Sequence, residues 1–284
     1  MILVTGATGN ISGHVIRQLA DKGVKVRAFV RDAKKGAGLK GPNVDVVQGD
    51  LGKTETIEKA MAGCEKLFLL TVASANMAEQ EMNALKAAKK CGLKHIVKLS
   101  AFGAATEHKS LLAKAQGYCE VNVRKIGVPY TIIRPHAFMS NFLMFAGSIK
   151  SQGAFYAPMK QGKIAAVDPA DIAAVAVGVL TGKGHSSKAY NITGPEALSY
   201  GDYAEKLSAA VGKAIKYVDV PAAEAKKAML SMGMSEWLAQ GLLDLYDDWA
   251  NNKADKVTDV VKEVGGKDPT TFDDWAQQNA AAFK

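Results

Sequence analysis

Short apolar runs alternate with amphipathic segments through the first half of the chain. ILVT (2–5), VRAFV (26–30), VDVV (44–47), LFLLT (67–71), HIVKLS (95–100) and YTIIR (130–134) read as strands. Residues 10–22, 54–62, 77–91 and 109–126 carry a helical period between them, and the first sets Ile11, Val15, Ile16 and Leu19 on one stripe. Strands that are apolar nearly throughout are buried on both faces. Strand-then-helix alternation is how a chain builds a parallel sheet covered by helices on each side. The pattern predicts an α/β fold with a doubly wound parallel sheet.

After Pro135 the pattern loosens. A helix is expected near 138–150, followed by a Gly- and Pro-containing stretch over 151–168. DPADIAAVAVGVL then reads as a helix with Asp168 as N-cap and Pro169 at its first position. KAYNIT (188–193) looks like a last strand, Ser199 begins a helix over 199–212, and 221–283 is mostly helical. Two units follow from this: a nucleotide-type sheet over 1–134 plus 164–194, and a small, mostly helical C-terminal lobe from 135–163 plus 195–284.

The first strand runs directly into Gly6-x-x-Gly9-x-x-Ser12-Gly13 and then into the first helix. A helix N-terminus presents unpaired N–H groups and a partial positive charge, so it favours an anion. A glycine at 6 permits the tight turn, and one at 9 lets a pyrophosphate reach the backbone. A small residue in the third place lets helix and strand pack closely. That third place is serine here, with glycine one position later. Strand before, helix after and strand–helix alternation following make the motif a dinucleotide site in a Rossmann-type sheet, against the simpler reading of a structural turn. The second strand ends FVRD. An acidic residue there would bond a ribose 2′-hydroxyl, whereas Arg31, followed by Lys34 and Lys35, suits a 2′-phosphate. Asp32 is the competing choice, but an aspartate beside Arg31 better fits the start of the next turn. The expected cofactor is NADP(H). QGDL (48–51) would set Asp50 and Leu51 beside the adenine.

Charge sharpens this picture. Residues 1–134 hold 21 Lys and Arg against 11 Asp and Glu, while 135–284 hold 15 against 17. The basic residues are spread through helical segments, with no helix-turn-helix or zinc-finger spacing and no basic tail, so a solvated face and a phosphate-bearing ligand are expected and nucleic acid is not. No apolar run is long enough for a membrane span, and Met1 leads straight into the first strand, so no leader is expected. Cys64, Cys91 and Cys119 are odd in number and show no CxxC spacing, which points to a reducing cytoplasm. The five histidines form no ligand spacing, and no metal is expected.

His136 follows the strand ending Arg134-Pro135, where a substrate would meet a nicotinamide. It reads either as a donor at the cleft or as a neutral loop histidine. Phe138, Met139, Phe142, Met144 and Phe145 come next. Helix packing explains them, and so does the stacking of a flat aromatic substrate, with Phe138 and Phe142 as its contacts.

TGATGNIS, FVRD, QGDL, HIVKLSA, GVPYTIIRP, DPADIA and YNITGPEALSY together resemble the NmrA-like branch of the atypical short-chain dehydrogenase/reductases, nearest the NAD(P)H:quinone oxidoreductase and triphenylmethane reductase group. The resemblance covers nearly the whole chain. It implies that Gly6, Thr8, Gly9, Asn10 and Ile11 hold the pyrophosphate and Arg31 the 2′-phosphate. Thr71, Val72 and Ala73 would line the ribose, with Ser100 and Pro135 to Phe138 on the nicotinamide side. Two departures stand out. The cofactor-binding Lys or His of the family falls at Gln116, and Lys114, two residues upstream, is turned about 200° around a helix, so it serves as a catalytic candidate only if that helix is irregular. The superfamily's Tyr-x-x-x-Lys pair is also missing, since Tyr118 is followed by Asn122. Tyr156 and Lys160 have the spacing, but Pro158 separates them.

Reducing a carbonyl to an alcohol needs a proton donor beside the alkoxide, whereas reducing a quinone or cationic dye does not need one so strictly. The expected function is therefore an NADPH-dependent reductase of a quinone or related conjugated aromatic acceptor. Its rival is a non-catalytic NADP(H)-binding redox sensor that acts through a protein partner. Reduction of a sugar- or flavonoid-like substrate is weaker, because those relatives lean on the missing lysine. A homodimer is compatible with each.

Overall fold

The computed structural model describes all 284 residues. The strands are β1 (Ile2–Val4), β2 (Val26–Val30), β3 (Val44–Gln48), β4 (Lys66–Leu69), β5 (His95–Leu99), β6 (Tyr130–Pro135), β7 (Ala154–Ala157), β8 (Lys163–Ile164), β9 (Lys188–Ile192), β10 (Leu198–Ser199) and β11 (Lys216–Asp219). Seven form one sheet in the order β3-β2-β1-β4-β5-β6-β9. Every pair in it is parallel. Chain order reverses between β1 and β4. That is the switch point, where a crevice opens outside the carboxyl ends of the strands.

Successive side chains of a strand point to opposite faces, and the sheet is apolar on both. Ile2, Val4, Phe68, Val97 and Ile133 join one buried cluster. Leu3, Leu67, Leu69, Ile96 and Ile132 join another on the far face. Helices α1 (Asn10–Asp21), α2 (Ala33–Gly36), α3 (Thr54–Met61), α4 (Met77–Lys90) and α5 (Leu111–Lys125) connect the strands, α1 covering the first face and α3, α4 and α5 the second. The stripe expected on α1 is the buried one.

Residues 139–145 form a 3₁₀ helix that runs into α6 (Ala146–Gln152) in place of one helix. Helix α7 (Pro169–Thr181) is buried on most sides against the sheet. Asp168 caps it, accepting from the Ala170 N–H at 2.7 Å, with Pro169 in the first turn. Helices α8 (Tyr200–Val211), α9 (Ala222–Ser231), α10 (Glu236–Ala250), α11 (Val260–Gly265) and α12 (Phe272–Asn279) complete the chain. Ser199 starts α8 with a reciprocal cap to Asp202. A third apolar cluster lies wholly within residues 139–283. Val261 of α11 packs instead with the sheet. The C-terminal segments also hold strands: β7 pairs in parallel with β11, and β8 antiparallel with β10. Tyr156 therefore sits on β7 and Lys160 in a left-handed turn at φ 48°, so no helix joins them. No helix is long and apolar enough to cross a membrane.

Candidate active site

The β1–α1 turn has the shape that the glycine spacing implies. Gly6 has φ 61°, a left-handed conformation that favours glycine. A Cβ there would sit 2.7 Å from Leu70 Cδ2 and 3.0 Å from the Leu70 carbonyl. Gly9 occupies the N-cap of α1, no side chain caps the helix, and its first turn has no acid. The amides that begin α1 are thus left for an anionic ligand. The third position works differently from the glycine case. Ser12 is fully buried, and its hydroxyl donates to the Thr5 carbonyl at 2.9 Å, tying the helix to its strand. Gly13 has no part in this contact: nothing lies within 4 Å of where its Cβ would be.

A cavity of about 480 Å³ opens in front of this turn. Its floor is made by the carboxyl ends of the strands: Gly9, Asn10 and Ile11 after β1, Leu70, Thr71 and Ala73 after β4. Leu99 ends β5 and Ser100 to Phe102 follow it, and Pro135 to Phe138 close the far end at β6. Leu112, Ala113 and Gln116 of α5 form one side. The roof is α10, which contributes Leu238, Leu242, Leu245 and Trp249. These four recur at helical spacing and lie on one face. The sequence showed the helix, but nothing in it indicated which unit that face would cover.

Nine of the expected site residues meet in this wall: Gly9, Asn10, Ile11, Thr71 and Ala73, then Ser100, Pro135, His136 and Phe138. Gly6 lies beneath it as the turn, and Thr8 is exposed on that turn. Val72 points out, 62% exposed. Arg31 is exposed at the end of β2, outside the enclosed part. Asp32 caps α2, accepting from the Lys34 N–H at 2.8 Å, so it is engaged as a turn residue, while the neighbouring Arg31 side chain makes no hydrogen bond or ion pair within the chain. Asp50 closes its own turn through the Gly52 N–H at 2.8 Å. Leu51 packs on the core, and its carbonyl accepts from Asn83 at 3.0 Å.

Two residues are displaced from their expected places. Phe142 is 2% exposed and sits among Tyr203, Phe272 and Tyr200 at ring distances of 4.6, 5.1 and 5.5 Å. It belongs to the apolar cluster of residues 139–283 because the 3₁₀ turn sends it inward, and it does not reach the cavity. Lys114 is half-buried but outside the wall, since α5 is regular and presents Ala113 and Gln116 instead.

Charge is scarce in the wall. Ser100 donates its hydroxyl inward to Glu120 at 2.7 Å, and Thr71 donates to Glu81 at 2.6 Å. Burial would raise the Glu120 carboxyl, but hydrogen bonds from Arg134, Ser100 and Arg124 outweigh it and hold the carboxyl below the usual range. His136 is the one titratable side chain lining the cavity. It is 4% exposed, between the rings of Phe102 and Trp249 at 5.0 and 5.7 Å. Its Nδ1 accepts from the Ala137 N–H at 2.6 Å, so the ring proton is on Nε2, which is buried and makes at most a weak contact with the Ala254 backbone. Burial pushes its pKa down to about 4, against a smaller upward pull from the Ala254 backbone, and the ring is neutral at pH 7. The unfolded chain binds a proton at His136 near pH 6.5 and the folded chain does not. Stability should therefore fall as pH drops from 6.5 to about 4, by up to about 3 kcal/mol. Chemical denaturation across that range checks this: His136→Gln should flatten the slope, and an unchanged slope would assign it to other groups.

A doubly wound parallel sheet, a glycine turn into an uncapped helix and a cleft at the switch point define a dinucleotide-binding protein of Rossmann type. The chain belongs to the NmrA-like family, whose profile matches residues 1–276. It is 38% identical over 283 residues to an NAD(P)H azoreductase of Xenophilus azovorans, spanning 100% of this chain and 99% of that one. Among solved structures, the quinone oxidoreductase QOR2 of Escherichia coli in complex with NADPH superposes with a TM-score of 0.89 at 29% identity, over 98% of this chain and 99% of that one. Triphenylmethane reductase of a Citrobacter species, complexed with NADP(H), gives 0.86 at 29% identity over the same shares.

Proposed function

We propose that this protein is an NADPH-dependent reductase that transfers a hydride to a quinone or a related conjugated aromatic acceptor, such as a dye. The observation that carries the reading is the cavity wall. It is largely apolar, roofed by three leucines and Trp249, and its one titratable group is a neutral histidine. Such a wall orients a flat acceptor and excludes water, but holds no acid to protonate an alkoxide. A quinone or dye fits because the charge of its reduced form is delocalised or neutralised, so protons can arrive later from water. The names of the azoreductase, quinone oxidoreductase and triphenylmethane reductase relatives agree with this chemistry.

The residues present fit NADP(H): the Gly6 turn admits no side chain, the start of α1 is uncapped, and the Arg31 side chain makes no bond to the rest of the chain. Gly9, Asn10 and Ile11 would hold the pyrophosphate, Arg31 the 2′-phosphate, and Thr71 and Ala73 the ribose. Bound there, the cofactor supplies the hydride. Ser100 and Thr71 keep their hydroxyl protons turned inward, so they offer the cavity only lone pairs. Phe138, Leu242 and Trp249 hold the acceptor in place. In this reading, residues 135–163 and 195–284 act as the substrate lobe. Cys64, Cys91 and Cys119 are unpaired, which agrees with a reducing cytoplasm.

Steady-state kinetics with a simple benzoquinone test it. Trp249→Ala removes part of the roof and should raise the quinone KM about 10-fold or more while NADPH affinity holds, since it takes away binding common to ground and transition states. An unchanged KM would place the acceptor elsewhere. The sensor reading draws on the same missing acid, and it predicts no turnover with any acceptor.

A further inference from the structure

Under the cavity floor lies a fully buried ion pair. Lys98, the one charged residue within the apolar run of β5, is 0% exposed, and Glu81 of α4 is 1% exposed. Their Nζ and Oε1 atoms are 2.9 Å apart. Lys98 also donates to the Leu99 carbonyl and, at 2.7 Å, to Gln116 Oε1. All three ammonium hydrogens are thus engaged. Both flanks of the pair reach the cavity: Thr71 lines it and donates to Glu81, and Gln116 lines it above Lys98.

This arrangement decides which way the Gln116 carboxamide points. An ammonium has three donors and no acceptor, so only the oxygen of the amide can face Lys98. The Nε2 group is then turned away from the pair, and its only protein partner is the weak acceptor Met77 Sδ at 3.6 Å. We infer that Lys98 and Glu81 are positioning residues that lock Gln116 with an N–H directed into the cavity, making it an uncharged, fixed hydrogen-bond donor to the bound ligand. The ligand atom is an oxygen or nitrogen acceptor on either the dinucleotide or the reducible substrate. The inference rests on a dinucleotide filling this cavity.

The same contact accounts for glutamine at a position where the family resemblance implies Lys or His. A lysine at 116 would set its ammonium against that of Lys98, with one buried carboxylate between them. Two like charges in a dry site repel strongly. The positive charge of the site is instead carried one layer down, at 98, and reaches the ligand only through the neutral amide.

Gln116→Glu separates the two roles of the amide. It keeps an oxygen for Lys98 and removes the N–H. If Gln116 served only to satisfy Lys98, this change would leave ligand binding intact. The expected result is a protein that still folds, at some cost in Tm from the second carboxylate beside Glu81, with a loss of roughly 10-fold or more in one constant. Fluorescence titration with NADPH and the quinone KM assign the source: a weaker NADPH Kd identifies the dinucleotide, and a higher KM alone identifies the acceptor. Both constants unchanged would overturn the donor role. The titration needs no turnover, so it stands even if no acceptor is ever reduced.

The positioning role is tested in a paired variant. Lys98→Met alone leaves a buried carboxylate unpaired and invites misfolding, so Lys98→Met is combined with Glu81→Gln. Gln116 is then free to turn. The constant moved by Gln116→Glu should worsen by roughly 3- to 10-fold, with kcat changed less. Lys98→Met with Gln116→Lys, which returns one ammonium to Glu81, should recover binding, while Gln116→Lys alone should not. Equal behaviour of Gln116→Lys with and without Lys98 would overturn the lock.

Discussion

Arg31→Ala should weaken NADPH binding by ~10- to 150-fold and leave NADH nearly unchanged. The range is that of a charge-assisted hydrogen-bond contact, ~1.5–3 kcal/mol. Arg31 is exposed at the end of β2 with no protein partner for its guanidinium, and the neighbouring Asp32 is occupied as a helix cap. Removing Arg31 therefore disturbs no fold contact, which makes the comparison clean. Its exposure also makes the contact sensitive to salt, so the NADPH preference should narrow as ionic strength rises. Isothermal titration with both cofactors at two salt concentrations measures this. Equal losses for NADPH and NADH would show that the 2′-phosphate is read elsewhere, with Lys34 and Lys35 the nearest cations.

The larger structural effect is expected at Ser12. Ser12→Leu removes the hydrogen bond to the Thr5 carbonyl and forces bulk into a site with no exposure. The combined penalty is on the order of 2–5 kcal/mol, and the shift of α1 away from β1 should weaken NADPH binding along with it. Gly13→Ala, one residue on, is the contrast. Its Cβ would meet nothing within 4 Å, inside a helix where glycine is entropically poor. That change should stabilise by about 0.5–1 kcal/mol. Thermal melts of the two variants, read with NADPH titrations, check both. A neutral Ser12→Leu would mean that the helix does not pack on the strand through this residue.

The same pair shows what the sequence could and could not convey. The turn at Gly6 and Gly9 was legible because backbone conformation and close approach leave a mark in residue type. The third position was not, since a small residue there fits either open space or a buried hydroxyl. The sheet is legible because its inner strands, buried on both faces, are apolar runs; the edge strands β3 and β9 are largely exposed and follow from the strand–helix alternation instead. β7 and β11 leave little trace because each is four residues long: β7 is a short buried run between Gly153 and Pro158, and β11 exposes three of its four residues, so neither shows a long run or an alternation. Phe142 was read as a cavity contact because an apolar residue near a cleft looks the same whether it faces the cleft or the core. Lys98 carries a signal of its own: a lysine inside HIVKLS, a strand with no exposed face. A charge there needs a buried partner, and Glu81 is that partner. Which helix supplies it is set by tertiary packing and leaves no local trace. The α10 roof is similar: the spacing of Leu238, Leu242, Leu245 and Trp249 shows a stripe, but only the fold shows that it closes the site.

A hydride passes in this cavity to a planar acceptor without an acid in the wall. Single-turnover mixing tests it most directly. Protein saturated with one equivalent of NADPH is mixed with a benzoquinone and followed at the NADPH absorbance. One NADPH should be lost per quinone reduced, at a rate that changes little between pH 6 and 8, because His136 stays neutral throughout that range. Tight NADPH binding with no consumption by any quinone or dye would contradict it and leave the redox sensor.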